Sequence, residues 1–282
     1  MDQRTLEPKT TDMLFWAGDP FPLLFLCSSG LAMSNVVALT EIRSSGFEIK
    51  FVLDAPVADT IVEWAHTHLE RDPHGSGERG DEYLITNLCF DTETFHTFHR
   101  RGSYGRAKYR ARRYGNEESL FLERKLRKAN KVNKRRTQIR VDEIGQLNGN
   151  QKVSGWPGNW FHRRLNLRGL EPACQVAYRR TARVATTEDG TIRLTADRDI
   201  RVWPTRKLGF VNGSGNLIGD PKVLVELKFP VTMPALFAQL IDNHKLEPVS
   251  VSKFRLGINA LYRLANSPGE EPGSDNRGST DA

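Results

Sequence analysis

Apolar and polar residues alternate along "GFEIKFVLD" (46–54), which puts Phe47, Ile49 and Phe51 on one face of an extended chain and Glu48 and Lys50 on the other. The same two-residue period runs through "KYRARRYG" (108–115), "FLERKLRK" (121–128), "CQVAYRRTARVA" (174–185), "TIRLTADRDIRVW" (191–203) and "KVLVELKFP" (222–230). These segments, and "YLITNLCFDT" (83–92), are expected to be strands, with 174–185 and 191–203 paired as a hairpin over "TEDG". Helical signals are fewer. Asp54 and Pro56 offer a cap and first turn for an amphipathic helix through about Leu69, and further helices are expected at 158–168, 234–245 and from Ser252 to Leu264. "DPHGSGERGD" reads as loop, and no repeat of fixed period stands out.

The polar faces carry the information. One face of each strand holds Glu48 and Lys50; Lys108, Arg110 and Arg112; Glu123, Lys125 and Arg127; Arg179, Thr181 and Arg183; Asp197, Asp199 and Arg201; or Glu226 and Lys228. The opposite faces are apolar, as with Val223, Val225, Leu227 and Phe229. Any one such strand fits a sheet with one face in water. Six together fit an α+β fold in which an antiparallel β-barrel is apolar outside, beneath helices, and charged inside, around a tunnel. Residues 100–140 sharpen this, since they hold sixteen Lys or Arg against three acids. That density repels itself unless a polyanion neutralises it, and the fork of arginine suits phosphate.

Composition bounds the rest. A chain of 282 residues, 38% hydrophobic and 27% charged, reads as soluble and globular, in one large domain or two small ones. The segment after Leu264 carries a net −3, so everything before it carries +10 within the total of +7. Cys27, Cys89 and Cys174 form no CxxC pair and are expected to be free thiols in a reducing, cytoplasmic compartment. The apolar stretch 13–33 is broken by Asp19, Pro20 and Pro22, so no membrane span is expected, and translation could equally begin at Met33. The expected organisation is a partly disordered extension over 1–45, one tunnel domain over 46–265, and a disordered tail over 266–282 that has too few apolar residues to fold.

Within the charged set, Glu226 with Lys228 and Glu48 with Lys50 place carboxylate and ammonium side by side. One can hold a hard divalent cation and the other a phosphate oxygen, or the two can form plain salt bridges. Lys108 joins Arg110 and Arg112 on the tunnel face. Ser252 can cap a helix, whose N-terminus attracts anions.

"FEIKF", "LCFDT", "KYRARRYG", "FLERK", "YRRTA", "TADRDI", "VELKF" and "SVSKF", in this order, make the chain from about Gly46 to Leu264 similar to the catalytic domain of the vacuolar transporter chaperone (VTC). That domain is a polyphosphate polymerase of the triphosphate tunnel metalloenzyme (CYTH-like) superfamily. The resemblance implies an antiparallel barrel tunnel and transfer of the ATP γ-phosphoryl group onto polyphosphate with Mn²⁺ or Mg²⁺. It implies phosphate contacts at Lys50, Arg110, Arg112, Lys125, Lys134, Arg179 and Lys253, a phosphate contact or a plain helix cap at Ser252, and a metal on Glu226. Lys134 would join the site from "KANKVNKRR", which otherwise reads as a solvated basic helix or loop. Arg127 and Ser250 depart from the His and Lys of the eukaryotic polymerases. No phosphoinositide-sensing domain accompanies the tunnel domain, which fits a stand-alone bacterial form. The hydrolases of the superfamily carry E-x-E-x-K in the first strand, and Gly46 stands where the first glutamate would be, which argues against hydrolysis. A triphosphate hydrolase remains the second reading. A polyanion or RNA binder is the third, although Tyr109 and Tyr114 are expected to alternate away from the charged face, so no nucleic acid partner is expected.

Overall fold

A computed structural model describes residues 41–75, 80–128, 131–149, 152–219 and 221–266. The expectations for the N-terminal extension, including Cys27 and Met33, and for the tail fall largely outside these residues. Among the described residues no helix is long and apolar enough to cross a membrane.

Ten strands are described: β1 (Ile42–Asp54), β2 (Glu70–Arg71), β3 (Glu82–Asp91), β4 (Ala107–Tyr114), β5 (Ser119–Lys128), β6 (Lys131–Arg140), β7 (Glu171–Thr187), β8 (Gly190–Pro204), β9 (Asn216–Leu217) and β10 (Lys222–Phe229). With them are helices α1 (Ala55–His68), α2 (Asn159–Arg168), α3 (Ala235–Asn243) and α4 (Lys253–Asn266). All pairings are antiparallel. The order β7-β3-β4-β5-β6-β1-β10-β8 closes through β7–β8 pairing into an eight-stranded barrel, with β2 and β9 as short additions.

The expected inversion of faces is present. Phe51, Val225, Leu227 and Leu194 on the outer faces of β1, β10 and β8 pack beneath Ala58, Ile61 and Ala65 of α1 and Phe237 and Leu240 of α3. A second outer core joins Leu88, Phe90, Tyr109, Ala111 and Leu122 to Phe161 and Leu165 of α2. The inner face is not charged throughout. Val176, Val202 and Leu224 turn inward and meet Phe254 and Ile258 of α4, an apolar patch on the inner wall. There α4 approaches so closely that a Cβ on Gly257 would lie 2.9 Å from Val202 Cγ2.

Three local expectations are corrected. "KANKVNKRR" contributes to a strand, β6, because its alternate residues pair into the ladder with β5 and β1. Asp54 does not cap α1 with its side chain; its carboxylate accepts from Lys222 Nζ at 2.5 Å instead. Tyr114 shares the inward face with Arg112, two residues away, so it faces the tunnel.

Replacing Gly257 by leucine is expected to lift α4 from β7 and β8 and to cost about 1–3 kcal/mol in a well-packed contact. A denaturant midpoint equal to that of the unsubstituted protein would show that this approach is not what seats α4.

Candidate active site

Antiparallel register puts the inward-facing charges opposite one another: Lys50 faces Glu226, Glu226 faces Thr195, Arg110 faces Glu123, and Glu123 faces Arg136. Two clusters result, each organised by buried carboxylates.

The first is built on Glu226. Lys50 Nζ lies 2.9 Å from Glu48 Oε1 and 3.3 Å from Glu226 Oε1, and donates to the Val251 carbonyl ahead of α4. Lys253, the first residue of α4, lies 2.5 Å from Asp197 and 3.4 Å from Glu226. Lys228 reaches Glu226 Oε2 at 3.2 Å, and Lys125 pairs with Glu48 at 2.5 Å. Arg180 grips Asp197 with two hydrogen bonds of 2.6 and 2.8 Å. Burial would raise the Glu226 carboxyl, yet Lys253, Lys50 and Lys228 hold it well below the usual carboxylate range.

The second centres on Glu123, which is 1% exposed. Four cations share this carboxylate: Arg110 at 2.6 Å, Lys134 at 2.5 Å, Arg136 at 3.3 Å and Arg112 at 3.8 Å. Arg112 also donates to Asn87 Oδ1 and to the Tyr178 hydroxyl. Near the N-terminal end of α4, Lys108 donates to Ser252 Oγ at 2.8 Å.

Cations outnumber anions here, and the lysines register it. Burial, joined by Lys50 and Lys125, pushes Lys108 down to about 7; burial, joined by Arg136 and Arg112 against the pull of Glu123, pushes Lys134 down to about 7. Burial lowers Lys228 as well. Burial makes the charged forms costly, and the neighbouring cations add to that cost. A bound polyanion would supply what the protein lacks.

The structure brings together Lys50, Lys108, Arg110, Arg112, Lys125, Lys134, Glu226, Lys228, Ser252 and Lys253. It does not bring Arg179. That side chain is 56% exposed and pairs outside the barrel with Glu82 and Asp199. Along β7 the alternation is unbroken: Val176, Tyr178, Arg180 and Ala182 face inward, so Arg179 and Arg183 lie on the outer face, where Arg183 bonds to Asp81. The bulge lies on β8, where Arg198 to Arg201 oppose Ala177 to Arg179 of β7 and Asp199 has a left-handed backbone (φ 49°); it turns Asp199 outward while Asp197 stays inside. Arg127 lies exposed at the end of β5. Sequence reasoning put Glu123 and Asp197 on charged faces without giving them a place in the site. It missed Arg136, Arg180, Asn87 and Tyr178. Arg136 carried a readable signal, lying two residues beyond Lys134 on a strand taken for a loop.

A divalent cation fits one place. Glu226 is held by lysine contacts of 3.2 to 3.4 Å, Glu48 lies beside it between Lys50 and Lys125, and Thr195 Oγ1, facing Glu226, is buried without a partner among the described residues. These are hard oxygen donors. Among the described residues no three Asp, Glu, His or Cys cluster as a metal cage. Glu226 with Glu48 would hold the ion, with substrate phosphates completing its shell, as is usual for Mg²⁺-like sites.

Two outcomes are expected. Affinity for tripolyphosphate should fall by about tenfold or more between pH 7 and pH 9, because Lys108 and Lys134 are charged below about 7 and lose their protons as pH rises through it; a flat calorimetric profile would contradict this. Arg112→Ala should weaken tripolyphosphate binding by about tenfold or more. Arg113→Ala should leave it unchanged, since Arg113 points outward to the Asn116 and Glu117 carbonyls; equal losses would refute the alternation.

Solved structures similar to this chain include three with low identity. A candidate adenylate cyclase from Bacillus halodurans is 15% identical over 74% of this chain and 95% of its own, with a TM-score of 0.47. A candidate adenylyl cyclase from Hippeastrum, described as having a dominant triphosphatase activity, is 16% identical over 76% and 96%, with a TM-score of 0.42. The PH1819 protein from Pyrococcus horikoshii OT3 is 12% identical over 76% and 99%, with a TM-score of 0.40. No curated protein matches the chain. The family model for the VTC domain matches residues 45–262, most of the chain and every barrel strand but the first residues of β1, and the protein belongs to the VTC domain family.

Proposed function

We propose that this protein is a polyphosphate polymerase that moves the γ-phosphoryl group of ATP onto the end of a polyphosphate chain. Membership of the VTC domain family supports an enzyme acting on triphosphates. The observation that carries the finer reading is Gly46. A Cβ at this position would lie 2.8 Å from the Phe229 carbonyl oxygen, so the first strand has no room for an additional carboxylate ahead of Glu48 unless β10 moves. The tunnel thus has abundant cations to hold phosphate and few carboxylates to activate water.

The chemistry suits such a site. An oxygen of the terminal phosphate attacks the γ-phosphorus of ATP, the bond from that phosphorus to the β-bridging oxygen breaks, and ADP leaves. The nucleophile is already ionised, so the protein needs no strong base; it contributes positioning and charge. Arg110, Arg112 and Lys134 around Glu123, and Lys50, Lys228, Lys253 and Arg180 around Glu226, would neutralise nonbridging oxygens, while Lys108 and Ser252 contact phosphate near α4. Arg180 takes the place that Arg179 was expected to fill. A divalent cation, Mn²⁺ or Mg²⁺, would add charge stabilisation at those oxygens when bound. A cytoplasmic setting accords with the free, buried thiols of Cys89 and Cys174.

The test is purified protein with ATP and Mn²⁺ or Mg²⁺, with polyphosphate, ADP and free phosphate measured separately. Polyphosphate and ADP are expected to rise together with little free phosphate. ADP with free phosphate and no polymer would identify a hydrolase, and no turnover with retained polyphosphate binding would identify a binding module. Glu226→Gln, nearly isosteric, should lower metal-dependent turnover by about a hundredfold or more while the thermal transition persists; full activity would remove Glu226 from the metal role.

A further inference from the structure

Two nucleophilic side chains in the barrel wall have no part in the phosphate chemistry. Cys89 of β3 and Cys174 of β7 are both free and both buried, at 8% and 0% exposure. They are direct partners in the antiparallel ladder, and both side chains belong to the apolar cluster that reaches Phe98 and Phe254. Directly opposed residues of an antiparallel pair have Cα atoms about 4.5 or 5.5 Å apart, and a disulfide takes Cα atoms about 4.4 to 6.8 Å apart. No strand has to slide for the two sulfurs to bond. The ladder also has slack here: Cys89 opposes Cys174 but Phe90 opposes Pro172, which leaves Ala173 as an extra residue beside the pair.

The two thiols are not alike. The hydrogen bond that Cys174 donates lowers Cys89 below the ordinary thiol value, and Arg110, Lys108 and Arg112 of β4 lower it further, against the opposing effect of burial. Of these, Arg110 stands directly opposite Cys89 in the β3–β4 ladder. Cys174 is pushed well above the ordinary value by the same hydrogen bond, by burial, and by Cys89 and Asp91. The thiolate is the form that attacks peroxides and disulfides, and its reactivity follows both acidity and access. Cys89 is the more acidic sulfur and also the less buried one. Cys174 stands behind it as a neutral thiol held in contact.

We propose that Cys89 and Cys174 form a redox-active dithiol, a modification site for hydrogen peroxide and other small hydroperoxides. It goes beyond the polymerase reading and does not depend on it. The Cys89 thiolate attacks one peroxide oxygen, the O–O bond breaks, and the departing hydroxide takes up the proton that Cys89 had released and leaves as water. The Cys174 sulfur then attacks the sulfur of the Cys89 sulfenic acid, the S–O bond breaks, and a second water leaves with the Cys174 proton. Two thiols are oxidised to one disulfide, and one peroxide is reduced to two waters. The bond would tie together β3 and β7, the strands that carry Asn87 and Tyr178, which hold Arg112. A reducing compartment keeps such a pair as thiols at rest and restores it after oxidation.

The test uses the full chain carrying Cys27→Ser, so that the cysteine outside the described residues cannot exchange. After a pulse of hydrogen peroxide the protein is unfolded, remaining thiols are alkylated, and peptides are mapped by mass spectrometry. A linked Cys89–Cys174 peptide pair is expected, absent before peroxide and lost again with dithiothreitol. With Cys174→Ser added, Cys89 should stop as a sulfenic acid that dimedone traps; with Cys89→Ser added, Cys174 should oxidise about tenfold or more slowly than Cys89 does. If either variant does not fold, the peptide map of the Cys27→Ser chain decides. Both thiols still alkylated after unfolding, or Cys89 carried to sulfinic acid with no disulfide, would overturn the dithiol. Neither result touches the polymerase reading, which the ATP assay tests separately.

Discussion

A carboxylate shared among cations is what allows this barrel to exist. Glu123 alone faces Arg110, Arg112, Lys134 and Arg136, and Glu226 alone faces Lys50, Lys228 and Lys253. Taking charge out of water is costly, and like charges confined together add to that cost. Interleaving each carboxylate among several cations gives every cation some compensation and none of them full neutralisation. The arrangement holds a net positive interior at the edge of what a fold tolerates.

Barrel closure is the means. An open sheet with this inner face would hydrate it and spread its charges, and a closed one satisfies every backbone group in the wall while keeping charges within a few ångströms of each other. The apolar work of folding is moved outward to the cores beneath α1, α3 and α2, which leaves the interior free to be polar. Tyrosines complete the design, since Tyr83, Tyr114 and Tyr178 each accept from an arginine that would otherwise swing.

Much of this was legible in the sequence because a strand has a period of two and the charges obey it. Lys50, Lys108, Arg110, Arg112, Lys125, Glu226 and Lys228 share one face for that reason alone. What failed on β7 and β8 had two causes. On β7 the period holds but the inward face is the other one, and "YRRTA" does not say which parity faces in, since both Arg179 and Arg180 are arginines. On β8 a bulge at Asp199 breaks the period and turns that residue outward. Lys134 and Arg136 were obscured by strand composition: "KANKVNKRR" has almost no β-branched or aromatic residues, and tertiary pairing with β5 and β1 overrides that propensity. Tyr114 was assigned to the wrong side by its character rather than by its parity with Arg112. Apolar packing at one side of the interior was not legible, because Val176, Val202 and Leu224 find their reason only in α4.

That last helix has a consequence for how the site comes into being. Lys50 of β1 reaches the Val251 carbonyl across 201 positions of sequence, and Lys253 and Ser252 arrive with α4. The half of the interior around Glu226 therefore waits for the C-terminal helix, whereas the half around Glu123 is assembled from the consecutive strands β4, β5 and β6. A growing polypeptide that has already made its first strand, its arginine-rich centre and its closing hairpin still lacks the residues that fasten Lys50 and Lys108. Contacts of such separation in sequence carry a loop-closure cost that slows folding. The Glu226 half of the interior is thus completed from the two ends of the barrel's chain at once, and its electrostatic balance depends on α4 being docked.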